Sequence, residues 1–186
     1  MKNTLLNKFL QKTIPPRVDL KFKRLKPFIK GSKVLDIGCG NGGFSLKLMQ
    51  EGFDVTPLDI QDKSAFEQIK PLVFDGKKLP FADNTFDTAL LITVLHHTTA
   101  QKELISEALR AARQVLIMED VYGNALQKQV TFWMDSLVNW EWQGHPHSNR
   151  SHEQWMAYFQ EFDCKVEFVQ SKSTALFFRQ NVYLLS

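Results

Sequence analysis

The sequence predicts an α/β fold, a largely parallel sheet covered by helices on both faces. Three observations predict it. Short β-branched or apolar runs alternate with segments of helical period. A glycine-rich turn, "DIGCGNGG", joins the first of those runs to a helix. The run "FDTALLITV" is apolar nearly throughout, as a strand buried on both faces must be. With 186 residues, 44% of them hydrophobic, the chain has material for one substantial core and reads as a single domain, 1–186.

The elements follow in order. Leu5, Leu6, Phe9 and Leu10 recur at helical spacing, giving a short amphipathic helix that docks on the domain or lies over a ligand. Pro15 and Pro16 are expected to end it, and Val18 to Ile29 reads as a second, basic helix. Residues 1–32 thus form an N-terminal helical cap. A first strand, Lys33 to Ile37, leads through the glycine turn into a helix from about Gly43 to Gln50. "EGFDVTPLDI" gives a second strand ending at Asp59, and "PLVFDG" a third ending at Asp75. "FDTALLITV" is the fourth, "QKELISEALRAA" a helix, and "RQVLIMED" a fifth strand ending in acid.

The last third changes character. Residues 122–150 read as an inserted segment on the substrate side, carrying Trp133, Trp140, Trp142 and the "QGHPHSN" stretch. It is expected to fold over the carboxyl edge of the sheet, where open α/β sheets bind their ligands. "SHEQWMAYFQEF" is a helix with a capping box from Ser151 to Gln154. "CKVEFVQ" and "ALFFRQNVYLL" follow with only a short turn between them, so at least one strand pair must be antiparallel.

Composition narrows the function. The net charge of +3 comes largely from a basic N-terminal third (Lys21, Lys23, Arg24, Lys26, Lys30, Lys33), which fits a solvated helix face rather than a nucleic-acid or membrane partner. Cys39 and Cys164 supply neither a disulfide framework nor a metal-ligand spacing, which suits a reducing cytoplasm. The longest apolar runs are too short to span a bilayer, and the N-terminus lacks the apolar core of a signal peptide. A cytoplasmic protein without a transmembrane segment is expected.

The glycine turn needs a ligand. Gly38, Gly40 and Gly43 satisfy G-x-G-x-x-G, which on spacing alone suits a dinucleotide; a P-loop is excluded because no G-K-[ST] closes the turn. Asp36 argues against phosphate, since a carboxylate there would repel it and attract an ammonium group. Asp59 is placed to accept bonds from ribose hydroxyls, and Asp75 from an exocyclic amino group. Three acids at the ends of three successive strands describe a cationic, donor-rich nucleoside without phosphate. S-adenosylmethionine fits that description.

Here the sequence resembles the class I S-adenosylmethionine-dependent methyltransferases, and most closely their broad small-molecule branch. "VLDIGCGNGGFSL" resembles the acid and G-x-G-x-G signature, "VTPLDI" the ribose motif, and "FDGKKLPFADNTFDTALLITVLHH" the third and fourth motifs. "SHEQWMAYFQEF" is similar to the helix preceding strand six. The resemblance implies a Rossmann-like seven-stranded sheet with the last strand antiparallel. It implies that Asp36, Gly38, Cys39 and Gly40 border the methionine part, Asp59 with Ile60 the ribose, and Asp75 with Gly76 the adenine. The family's "K-P-G-G" turn before strand five is missing. An N-P-P-Y type motif after strand four is missing too, which points away from methylation of nucleobase amines.

Methyl transfer from a sulfonium needs alignment and exclusion of water, and a base only if the acceptor arrives protonated. The candidates for that base are His97, Glu119, Asp120, His145 and His147. The last two could with His97 and Asp120 bind a metal, but a polar loop closing on the pocket is the simpler account and no metal is assigned. A non-catalytic cofactor-binding module and a nicotinamide oxidoreductase are the alternatives. The first keeps the cofactor turn without an acceptor pocket; the second should lack Asp36 and carry a proton donor after strand four. A small-molecule acceptor is expected.

Overall fold

A computed structural model describes residues 5–122, 149–175 and 178–186. Its helices are α1 (Leu5–Leu25), α2 (Gly43–Gln50), α3 (Gln101–Ala111) and α4 (His152–Phe159). Its strands are β1 (Lys33–Ile37), β2 (Asp54–Asp59), β3 (Leu72–Val73), β4 (Thr88–Ile92), β5 (Val115–Val121), β6 (Val166–Ala175) and β7 (Phe178–Leu185). Single 3₁₀ turns follow α1 (Lys26–Phe28) and β4 (Leu95–His97).

The seven strands form one sheet in the order β3-β2-β1-β4-β5-β7-β6. All pairs from β3 to β5 are parallel, and β7 runs antiparallel to both β5 and β6. This is the Rossmann-like sheet that the sequence led us to expect. The order reverses at β1, which lies between β2 and β4, and ligands of open α/β sheets bind outside the carboxyl ends at such a point.

Alternation along the strands sorts the core into two layers. Leu35, Ile37, Leu91, Ile117 and Tyr183 pack with Leu104, Ile105 and Ala108 of α3 and Trp155 and Phe159 of α4. Val34, Leu90, Leu116, Met118 and Val182 face the other way, against Phe22 and Leu25 of α1 and Phe44 and Leu48 of α2. The capping box of α4 is present in both halves: Ser151 Oγ accepts from the Gln154 N–H at 3.3 Å, and Gln154 Oε1 from the Ser151 N–H at 2.9 Å.

Three boundaries differ from expectation. Pro15 and Pro16 do not end the first helix; α1 runs through them as one element. The prolines deprive the Gln11 and Lys12 carbonyls of their intrahelical donors. Tertiary contacts offset that loss: Val18, Phe22 and Leu25 form a stripe against the sheet and α2, and Gln11 Nε2 donates to the Ala65 carbonyl at 2.8 Å. The third strand is only Leu72–Val73, so Asp75 lies beyond its end rather than closing it. Cys164 likewise precedes β6, which opens at Val166. No helix among the described residues is long and apolar enough to cross a membrane. The expected fold of 122–150 concerns residues that, from 123 to 148, lie outside the described part.

Candidate functional site

The glycine turn is fastened to the end of β2. The N–H groups of Gly38 and Cys39 both donate to the Leu58 carbonyl, at 2.7 and 3.0 Å, and the Gly40 N–H donates to Asp59 Oδ2 at 2.8 Å. Asn41 Oδ1 accepts from the Gly43 N–H at 3.0 Å, satisfying a donor at the start of α2. Gly38 has φ +72°, and a Cβ there would stand 2.6 Å from Val94 Cγ2. Gly43 instead permits close approach of α1, since a Cβ would lie 2.4 Å from Ile14 Cγ2. Gly40 is different: a Cβ would meet nothing within 4 Å, so the turn is open on that side. Gly38→Ala should therefore cost about 2 kcal/mol in urea unfolding, from strain and overlap together, and Gly40→Ala about 1 kcal/mol from strain alone.

The three acids are held in three different ways. Asp36 is buried on β1, and Oδ2 accepts a 2.5 Å bond from Ser45 Oγ of α2. Burial pushes its carboxyl up to about 6; the Ser45 bond opposes this, the charge of Asp59 adds to it, and Lys21 opposes it. Asp59 ends β2 with Oδ2 on Gly40 and Oδ1 3.4 Å from the Gln61 N–H. A carboxylate has about four lone-pair positions, so acceptor capacity remains. Asp75 is exposed, and its Oδ1 closes its own turn by accepting from the Lys78 and Lys77 N–H groups at 2.9 and 2.8 Å. Those bonds hold its carboxyl below the usual range. The Phe74 N–H donates to the Asp59 carbonyl at 3.1 Å, which keeps this turn beside β2. Exposed Ile60 faces Gly76, where a Cβ would lie 3.2 Å from Ile60 Cγ2.

Ser45 carries no mark of its own in the sequence, although it stands nine residues after Asp36, in the first turn of the helix that the glycine turn opens. Cys39 is buried, and burial together with Asp36 and Asp59 pushes its thiol up, so it is a small turn residue and not a reactive thiolate.

Beyond β4 the edge is built differently. Glu119 is fully buried, with Oε1 accepting from the Val94 and Leu95 N–H groups and Oε2 facing His96 Nδ1 at 2.6 Å. This corrects the expectation that Glu119 is a rim base: both its oxygens are engaged inside the fold. The His96 ring packs on half-buried His97, with centroids 4.0 Å apart. Asp120, next along β5, points to the opposite face of the sheet, where Gln180 bonds it and burial raises its carboxyl. Lys21 of α1 approaches there, its ammonium lowered by burial and raised in turn by Asp120 and Glu119. His97 and Asp120 thus share the carboxyl edge but are separated by β5. His145 and His147 lie outside the described residues.

The arrangement can hold a ligand with a cationic end at Asp36 and hydroxyl donors at Asp59, over a glycine turn with room at Gly40. Residues 35–116 match the family model described as Methyltransferase domain. A SAM-dependent methyltransferase of Thermotoga maritima superposes with a TM-score of 0.72 at 14% identity, covering 97% of this chain and 95% of that one; at that identity the likeness concerns the fold. The chain is 31% identical over 91 residues to demethylmenaquinone methyltransferase of Renibacterium salmoninarum, covering 46% of this chain and 38% of the relative. It is 33% identical over 117 residues to the mouse tRNA (carboxymethyluridine(34)-5-O)-methyltransferase ALKBH8, covering 56% of this chain and 18% of the relative. The chain thus spans well under two thirds of the length of these two relatives.

The fold is that of solved S-adenosylmethionine-dependent methyltransferases, and residues 35–116 are similar to the family described as Methyltransferase domain.

Proposed function

We propose that the chain transfers a methyl group from S-adenosylmethionine to a small-molecule acceptor. The observation that carries the reading is the buried Asp36 carboxylate beside an open glycine turn, with Asp59 one strand away. A phosphate would be repelled there, and an ammonium group attracted. In this reading Asp36 and the backbone of Gly38, Cys39 and Gly40 border the methionine end, Asp59 and Ile60 the ribose, and Asp75 with Gly76 the adenine. Asp75 keeps one oxygen for that role, its other being used by its turn.

The cofactor supplies a methyl group on a positively charged sulfur, a good leaving group that departs as the neutral thioether. The chain's task is to orient the acceptor and, if the acceptor is protonated, to take its proton. His97, half-buried at the carboxyl edge, is the described residue best placed to do so. Asp120, His145 and His147 are the further candidates. The small-molecule acceptor draws support from the demethylmenaquinone methyltransferase named above, while the tRNA methyltransferase sets the competing outcome.

Methyl-labelled S-adenosylmethionine, incubated with the protein and separate panels of small phenols, quinols, amines and bulk tRNA, tests this. Label transfer to a small molecule, reduced by His97→Ala at least tenfold with S-adenosylhomocysteine affinity retained, is expected. Label transfer to tRNA alone would overturn the acceptor class.

A further inference from the structure

A carboxylate is almost never fully buried unless it is paired. Glu119 meets that condition with three partners, none of them on its own strand. Its Oε1 accepts from the N–H groups of Val94 at 2.9 Å and Leu95 at 2.8 Å, and its Oε2 stands 2.6 Å from His96 Nδ1. All three partners belong to the turn after β4. The two peptide donors lie at the start of the 3₁₀ turn, where no helical carbonyl is available to them.

That turn does not hold its shape by itself. Thr93 has φ +56°, a left-handed conformation that a β-branched residue adopts at a cost. Its N–H donates to the Met118 carbonyl of β5 at 2.7 Å, so the strained residue too is fastened to the neighbouring strand. Two contacts lead outward from the turn. The Val94 side chain fills the space behind Gly38, where a Cβ would come within 2.6 Å of it. The His96 ring carries that of His97 on its face.

We propose that Glu119 is a positioning residue. From β5 it fixes the 93–97 turn in the conformation in which Val94 backs the glycine turn and His97 stands at the carboxyl edge. This rests on the reading of that edge as a cofactor site, and adds to it a residue that touches neither cofactor nor acceptor. With Glu119 as carboxylate, His96 carries its hydrogen on Nδ1, leaving Nε2 to accept. One buried side chain then sets a backbone turn and an imidazole tautomer together.

Glu119→Gln separates this from a merely structural role. The amide can still accept from Val94 and Leu95, more weakly than a carboxylate, but it turns an N–H towards His96. In ¹⁵N–¹H spectra of the unliganded protein, the His96 proton should move from Nδ1 to Nε2, and the His97 ring signals should shift with it. By calorimetry the variant's affinity for S-adenosylhomocysteine should fall about tenfold, the scale of coupling through a packed network. Leu116→Ala, which opens a cavity on the opposite face of β5, is the control for general destabilisation and should leave that affinity within about twofold. If Glu119→Gln does not fold, Val94→Ala removes the contact behind Gly38 and should reproduce the affinity loss. An unchanged His96 tautomer, or an affinity no lower than that of Leu116→Ala, would overturn the proposal. Failure of the wild-type protein to bind S-adenosylhomocysteine would instead count against the cofactor reading, and the tautomer result would stand apart from it.

Discussion

Asp59→Ala is expected to weaken binding of S-adenosylhomocysteine by about 2–3 kcal/mol, roughly 30- to 150-fold, the cost of removing charge-assisted bonds to two hydroxyls. The geometry adds a second part to the effect. Asp59 Oδ2 also accepts from the Gly40 N–H at 2.8 Å, so the substitution releases the turn that would lie against the cofactor. Stability should fall by about 1 kcal/mol for that lost bond. Asp59→Asn keeps an oxygen for Gly40 while losing the charge and one acceptor. It should retain stability and still lose most of the affinity. Calorimetry on both variants, with urea unfolding alongside, resolves the two parts; unchanged affinity in both would reduce Asp59 to a loop acid.

Asp36→Asn should act in opposite directions on stability and on binding. Burial raises the folded-state carboxyl to about 6 from an ordinary value of 3.8. A group raised in this way contributes stability that is fully present below 3.8 and lost as pH rises through about 6. At pH 8 the ionised, buried carboxylate therefore costs the unliganded fold about 3 kcal/mol. Asp36→Asn removes that cost while keeping a partner for Ser45 Oγ. The unliganded variant should be the more stable protein at pH 8, and its advantage should vanish towards pH 4. Its cofactor affinity should fall at least tenfold, because an ammonium group gains little from an amide. Wild-type affinity should likewise decline as pH drops below about 6, where Asp36 takes up its proton. Thermal unfolding and calorimetry across that range check both signs. A variant less stable than wild type at pH 8 would mean that the amide cannot replace the carboxylate at Ser45.

The parts of the site that local rules govern were legible in the sequence. β1 and α2 occupy the residues expected of them, Lys33–Ile37 and Gly43–Gln50, because an apolar run, a glycine turn and a helical pattern each leave a local mark. The Ser151–Gln154 capping box is equally local. What stayed hidden depends on partners distant in sequence. The Pro15–Pro16 pair signals a break, and only the packing of α1 on α2 and the sheet carries the helix through. "LVFDG" does not reveal that two residues pair and that Asp75 turns back on Lys77 and Lys78. The adjacent acids Glu119 and Asp120 must face opposite sides of β5, but alternation does not say which side is sealed. That depends on the turn after β4 lying over Glu119 and on α1 lying near Asp120. Ser45 becomes meaningful only when α2 folds back along β1.

In the proposed reading a buried acid, a glycine turn and a second acid make a site for a cationic nucleoside without phosphate. Titration of the wild-type protein with S-adenosylhomocysteine, S-adenosylmethionine and NAD at pH 8 tests it most directly. Micromolar-range dissociation constants are expected for the first two, with markedly weaker binding of NAD. Tighter binding of NAD than of either would contradict it.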